Sequence, residues 1–355
     1  MKHYDNTVKV RQGEEIDIEA VESFLRENIH GLTGTLLVKQ YPDGFSNLTY
    51  LLIMGGREMV LRRPPRGAKI KAAHDMVREY NILSAIHPRF PYCPKPLACS
   101  RDNSILGTPF YVMEKLSGII LRRELPEGLS FSPSRARELC RNLIDLHLEL
   151  HSMDILEAGL DFMGRPEGYI NRQVEGWAKR YRNARTQDAP DCQEIIAWLM
   201  EKMPPDTDKP TLIHNDYKFD NVVLEPASPT KIIGVLDWEM ATWGDPLMDL
   251  GSSLAYWVEK GDPREWQIMK TMPTDMDGAM TRKEIVEMYG QKSGRSMDAF
   301  DFYECFGLFR LAVIAQQIYQ RFHQGFTKDK RFGMLIHGVR ILEKRARMIM
   351  EKSSI

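Results

Sequence analysis

The sequence predicts an α+β protein of two lobes: a small antiparallel sheet with one long helix, then a larger α-rich lobe. Three observations lead there. The 355 residues exceed one minimal domain and suit two lobes sharing a core. Up to about residue 115 the apolar residues come in short runs parted by Pro and Gly turns. Beyond that point they recur at helical spacing over longer segments. The lobes are expected at residues 1–115 and 116–355.

Ile18, Val21, Phe24, Leu25 and Ile29 fall at helical spacing, with Asp17 as N-cap and Gly31 as stop. Leu36-Leu37-Val38, residues 48–54 and residues 59–61 read as strands, joined by turns at Pro42-Asp43-Gly44 and Gly55-Gly56. Residues 71–86 read as a helix whose inner face is Met76, Tyr80, Leu83 and Ala85. Pro88, Pro91, Pro94 and Pro96 then forbid regular structure. Two more strands are expected at 97–100 and 109–113. Helices follow at 134–152, with a stripe of Leu139, Leu143, Leu146 and Leu150, and at 167–185 and 191–203. Residues 211–238 read as strand, loop and hairpin, and the chain is mostly helical from Pro246 onward.

Net charge is −1, so no global field recruits nucleic acid or an anionic membrane. The five cysteines are scattered, with no C-x-x-C pair, which fits reduced, partly buried thiols. The first 15 residues carry no apolar stretch of the signal-peptide kind. The most apolar late segment, 306–319, is interrupted by Arg310, Gln316 and Gln317 and is too short and polar to span a bilayer. A soluble, cytoplasmic protein is expected.

The chemistry is concentrated in Leu212-Ile213-His214-Asn215-Asp216-Tyr217-Lys218-Phe219-Asp220-Asn221, followed by Asp237 at the end of a second apolar run. The pattern H-x-D-x-x-x-x-N … D is the layout of a kinase catalytic loop and its metal-binding aspartate. A hydroxyl attacking a phosphoryl group must lose its proton, and Asp216 is placed to take it as general base. Mg²⁺ takes oxygen ligands, and Asn221 and Asp237 supply one neutral and one anionic oxygen. Val222-Val223-Leu224 and residues 232–236 form a hairpin expected to return Asp237 beside the loop. Glu239 is a candidate second acidic metal ligand, with a solvated or salt-bridged role as the alternative. Asp245-Pro246 reads as an N-cap and first helical residue. Asp249, one turn inside that helix, is expected to accept backbone N–H groups of the catalytic loop.

His214 to Asn221, then Asp237-Trp238-Glu239, then Gly244-Asp245-Pro246-x-x-Asp249-Leu250 resembles the aminoglycoside phosphotransferase and choline kinase superfamily, small-molecule relatives of protein kinases. The likeness extends over most of the chain and implies a protein-kinase-like fold using ATP and Mg²⁺. Gly44-Phe45-Ser46-Asn47 resembles the loop that covers the nucleotide phosphates, which implies contacts from Gly44, Ser46 and Asn47. Arg62 stands where most kinases carry the lysine that grips the α/β-phosphates, and Glu79 matches its acidic partner. Met113, Glu114 and Leu116 match the hinge whose backbone reads the adenine edge. Arg62-Arg63-Pro64-Pro65 and residues 321–325 are most similar to the kinase-like domain fused to acyl-CoA dehydrogenases and its free-standing bacterial relatives. That branch implies phosphorylation of a small-molecule hydroxyl, with a hydroxyacyl-CoA thioester as leading acceptor. Aminoglycoside, choline-like and sugar acceptors remain alternatives, as does a non-catalytic nucleotide-binding module.

Other patterns have plainer readings. His147 and His151 sit at i, i+4 on a helix as zinc ligands do, but Glu149 is misplaced for that motif and the sequence offers no third ligand. They read as core or helix-surface histidines. Arg62, Arg63, Arg66, Lys69 and Lys71 form one basic run, and Arg172, Lys179, Arg180, Arg182 and Arg185 another. Each is a solvated face or a phosphate dock. The aromatics Tyr169, Trp177, Trp238, Trp243, Tyr256 and Trp257 are of a kind more often core than substrate platform, while Trp238 and Trp243, flanking the acidic motif, are candidates to border the acceptor site.

Overall fold

The computed structural model describes residues 7–42, 47–65, 75–327 and 329–355. The first helix, α1 (Ile18–Asn28), is capped by Asp17, which accepts the Ala20 N–H at 3.0 Å. Strands β1 (Leu37–Gln40), β2 (Leu48–Met54) and β3 (Arg57–Arg63) follow, then α2 (Met76–Ile86), β4 (Pro96–Ser100), the single turn α3 (Asn103–Leu106) and β5 (Phe110–Glu114). They form one antiparallel sheet in the order β1-β2-β3-β5-β4. Period-2 alternation divides its faces. Tyr50, Leu52, Met54, Met59, Leu61, Phe110 and Val112 bury one face with Val21, Phe24 and Leu25 of α1. Arg62, next to Leu61, therefore points to the opposite face, where α2 supplies Glu79.

The chain continues through α4 (Pro133–His151), α5 (Tyr169–Ala184), α6 (Gln193–Glu201) and the three-residue strand β6 (Thr211–Ile213). The hairpin β7 (Val222–Glu225) and β8 (Ser228–Val235) turns at Pro226-Ala227, so β8 begins earlier than its apolar residues suggested. Strand β9 (Thr242–Gly244), too short for a sequence signal, pairs with β6. Helices α7 (Pro246–Leu254), α8 (Arg264–Ile268), α9 (Arg282–Ser293), α10 (Phe300–His323), α11 (Lys330–Gly333) and α12 (Leu335–Lys352) complete the chain.

Two compact units result. One contains Met1–Ile120, Leu156–Leu160 and Asp220–Met240, and the other Leu121–Ile155, Asp161–Phe219 and Ala241–Ile355. In the first, the β7–β8 hairpin is tied by Val235 N–H to the Tyr92 carbonyl at 2.6 Å and by a bridge between Ile119 and Leu224. In the second, α7 and α10 cross at glycines. A Cβ on Gly251 would lie 2.2 Å from the Tyr303 carbonyl oxygen, and one on Gly307 would lie 2.2 Å from the Gly251 carbonyl oxygen. Only residues without a Cβ permit this approach, which brings two helices bearing Asp249 and Arg310 together. Among the described residues, no helix is long and apolar enough to cross a membrane.

Candidate active site

In the first unit, Arg62 gathers the acidic candidates. Its Nη1 donates to Glu79 Oε1 at 2.5 Å, and its Nη2 to Asp237 Oδ1 at 2.9 Å and Glu239 Oε2 at 3.2 Å. Asn47 Nδ2 donates to Glu239 Oε2 at 2.6 Å. Glu79, 2% exposed, is no surface glutamate. Burial pushes its carboxyl up, and the Arg62 guanidinium works against that. The forked, permanently charged guanidinium can serve several carboxylates at once, which a lysine ammonium on this strand would do with less directional control.

Asp237 adopts φ +67°, a left-handed conformation unusual for a residue other than glycine. The residue directly before it, Leu236, donates its N–H to the Asn221 carbonyl at 2.7 Å. Asn221 ends the short 3-10 turn Phe219–Asn221, and Glu239 lies in the turn Trp238–Met240. Thus the hairpin's two ends, which carry Asn221 and Asp237, are hydrogen-bonded neighbours. Carboxamide and carboxylate oxygens are the hard donors that Mg²⁺ favours.

Trp238 does not border an open site. It is 1% exposed, packs edge-on against Phe90 and donates its indole N–H to the Val235 carbonyl at 2.8 Å. Met113 and Glu114 end β5, and the Leu116 side chain covers Gly234, where a Cβ would lie 2.3 Å from Leu116 Cδ1. Gly44 and Ser46 lie outside the described residues, as do Arg66, Lys69 and Lys71 of the first basic run. Arg63 of that run is buried and bonded to the Tyr50 hydroxyl and the Glu14 carbonyl, so it serves the fold.

The second unit holds the loop with Asp216. The loop leaves β6, and its backbone is fixed at successive polar groups. Asp249 Oδ2 accepts the His214 N–H and Oδ1 the Asn215 N–H, each at 2.7 Å. Arg310 Nη2 donates to the Asn215 carbonyl at 2.7 Å. The Asp216 N–H donates to His214 Nδ1 at 3.2 Å, giving that histidine a structural role. The Asp216 carboxylate forms a short ion pair with Lys218, whose ammonium also lies 4.8 Å from the Tyr256 ring centroid. Lys218 and Arg310 were not singled out as site residues from the sequence. The one available signal was a lone arginine inside the apolar stretch of α10, where a buried charge demands a partner.

His147 and His151, both on α4, are buried, and each brings Nε2 to 3.1 Å from Asp249 Oδ2. The third polar partner that the sequence did not offer comes from α7. Burial works to raise the Asp249 carboxyl pKa, but hydrogen bonds from His147 and His151 hold it well below the usual carboxylate range.

Beside the β6–β9 pair, a surface pocket of about 580 Å³ is lined by Met163, Arg165, Arg172, Gln173, Thr242 and Trp243 among others. Trp243 pairs across the strands with Leu212, two residues before His214. Arg172 spends its guanidinium on the Glu167 and Arg165 carbonyls and so shapes the pocket rim. Arg180 of the same basic run stacks on Trp177, 4.7 Å from the ring centroid, which favours a packing role there.

The phosphotransferase enzyme family matches residues 37–277. The chain is 34% identical over 331 residues to rat acyl-CoA dehydrogenase family member 11, covering 90% of this chain and 41% of the relative. It spans less than half the length of the curated relatives it matches. Among solved structures, a Ralstonia eutropha protein provisionally described as an aminoglycoside phosphotransferase superposes with TM-score 0.81 at 28% identity, covering 96% of this chain and 100% of that one. Choline kinase from Cryptosporidium parvum shares the fold with TM-score 0.59 at 12% identity, covering 95% of this chain and 98% of that one.

Proposed function

The chain belongs to the phosphotransferase enzyme family and has a protein-kinase-like fold, and from that premise we propose that it transfers the terminal phosphate of ATP, with Mg²⁺, to a hydroxyl of a small molecule. The observation that carries the reading is the convergence of Arg62, Glu79, Asp237 and Glu239 in one cluster. A structural ion pair needs one acid, whereas this arginine meets three, and two of them flank Trp238 at the end of β8. Asn47 joins them from the end of the segment that resembles a phosphate-covering loop.

In this reading Asp216 accepts the proton of the acceptor hydroxyl as it attacks, a role worth roughly 10²–10⁴ in rate. Arg62 neutralises nucleotide phosphate charge, and Glu79 holds Arg62 in place. Asn221, Asp237 and Glu239 would hold Mg²⁺, which when bound neutralises phosphate charge. Lys218, paired with Asp216, orients that carboxylate. Met113, Glu114 and Leu116 would present backbone groups to the adenine. The non-catalytic alternative is disfavoured because the acidic and amide residues the chemistry requires are all present.

For the acceptor, a hydroxyacyl-CoA is the leading candidate. Two observations support it: the similarity to acyl-CoA dehydrogenase family members, and a pocket whose lining includes Arg165, next to the strand leading into the Asp216 loop. A guanidinium at that lining suits a phosphorylated, anionic acceptor better than cationic aminoglycosides or choline. The test is ATP consumption across hydroxyacyl-CoAs, aminoglycosides, choline and sugars, with the product identified by mass. A hydroxyacyl-CoA heavier by one phosphoryl group is expected. Phosphorylation of another class alone would replace this acceptor, and nucleotide binding without turnover on any would return the non-catalytic reading.

A further inference from the structure

We infer that His147 and His151 are positioning residues for Asp216, acting through Asp249 by donating Nε2–H to its carboxylate. The inference rests on the reading of Asp216 as general base but concerns residues remote from the reacting atoms.

The geometry leaves little choice of protonation pattern. Asp249 is fully buried and receives His147 Nε2, His151 Nε2 and the His214 N–H on Oδ2, and the Asn215 N–H on Oδ1. A carboxylate accepts and does not donate, so each imidazole must present Nε2–H to it. With the proton on Nε2, His151 Nδ1 is left to accept from the Tyr289 hydroxyl, 2.7 Å away, so both ring nitrogens have partners. Burial, with His147 alongside, pushes the His151 pKa down to about 3, in keeping with a neutral ring. The rings pack as a unit: His147 and His151 centroids are 4.1 Å apart, and His147 stacks on Tyr217 at 4.1 Å. Tyr217 is itself in the loop, and its hydroxyl donates to the Leu143 carbonyl on α4 at 2.7 Å.

The load on this hub is Asn215. Its φ of +65° is left-handed, a region that residues with a Cβ seldom occupy unless their surroundings hold them there. Its N–H is held by Asp249 and its carbonyl by Arg310, and Asp216 comes next in the chain. Without the imidazoles, Asp249 would keep only two backbone donors among these four and would be free to turn about its side-chain bonds. Asn215 could then relax toward negative φ and swing Asp216. A displacement of about 1 Å in a reacting group can cost 10²-fold in rate.

The test uses full-length protein carrying His147→Leu, His151→Leu, His147→Gln or His151→Gln. The glutamine amide can place a donor near the position of Nε2, whereas leucine cannot. The leucine variants should lower kcat by at least about 30-fold while leaving ATP affinity within about twofold. The glutamine variants should recover most of the loss. Amide exchange at His214 and Asn215 should quicken in the leucine variants and return toward wild type with glutamine. Nitrogen chemical shifts of the two imidazoles in wild-type protein should report a proton on Nε2 of each ring. This last measurement decides the tautomer even if a leucine variant does not fold. Folded leucine variants with unchanged kcat and unchanged exchange would overturn the inference, as would Nδ1–H rings or stoichiometric zinc lost on His147→Gln. Activity retained by Asp216→Asn would instead sink the functional reading, leaving the exchange and tautomer results to judge the hub alone.

Discussion

Arg62 Nη2 donates to Asp237 Oδ1 at 2.9 Å, while Nη1 of the same guanidinium is held by Glu79. A strand residue, a helix residue and the residue after a hairpin are thereby fixed to one another within the first unit. The pairing has a local cause. Arg62 falls on the β3 face away from the α1 core, and Glu79 is within the first turn of α2, capped by Asp75. Each acid is brought by a different element, so the cluster depends on tertiary structure.

Removing the guanidinium leaves buried Glu79 without its cation. Arg62→Ala should destabilise the protein by about 3–5 kcal/mol, the range for breaking a buried ion pair. Arg62→Met combined with Glu79→Leu should recover part of that loss, because the fully buried carboxylate is removed together with its cation, while Asp237 and Glu239 still lose theirs. Urea unfolding of the three proteins checks this. Equal destabilisation by the single and double changes would mean that the pair acts by packing rather than charge.

The metal assignment is tested at Asp237. Asp237→Ala should abolish the Mg²⁺ dependence of ATP binding, measured by calorimetry with and without the ion. It should barely change stability, since this side chain is partly exposed. Unchanged nucleotide affinity in Mg²⁺ would remove Asp237 from the metal set.

The two tryptophans near the acidic motif should behave differently. Trp238→Ala opens the core beside Phe90 and should cost about 3–5 kcal/mol. Trp243→Ala, at the pocket wall, should raise KM for the acceptor with a smaller stability loss. Paired melting and kinetic measurements separate these outcomes, and a Trp243→Ala protein with unaltered acceptor KM would dissociate the pocket from the acceptor.

The crossing of α7 and α10 makes a stability prediction free of any functional assumption. Gly251→Ala must push its new methyl group away from the Tyr303 backbone, which a helix cannot yield cheaply. A loss of about 1–3 kcal/mol is expected, as for other overpacked cores. Wild-type stability in denaturant would contradict the close approach.

Much of this was legible in the sequence. The caps Asp17 and Asp245, the stripe on α4, and the strands β2 to β5 follow from local spacing and turn chemistry, and the structure places them accordingly. Asp249 taking the loop's N–H groups was legible for a physical reason: an acid among apolar residues one turn into a helix needs donors. What stayed hidden depends on long-range contact. Nothing in His147-Leu148-Glu149-Leu150-His151 announces an aspartate about a hundred residues later. Trp238, for which sequence left core and acceptor border both open, is core because the turn carrying it packs onto Phe90. Strand β9 is set by its pairing with β6, not by any propensity three residues can express.

The most direct test of the account is Asp216→Asn, compared with wild type for ATP affinity in Mg²⁺ and for the single-turnover rate of phosphate transfer to the acceptor found in the substrate screen. The change removes a base while nearly preserving shape. ATP binding within about twofold of wild type is expected, with transfer slowed by roughly 10²–10⁴. A variant that transfers phosphate at the wild-type rate, or that loses binding and transfer in equal measure, would contradict the role of Asp216 on which the proposed reaction depends.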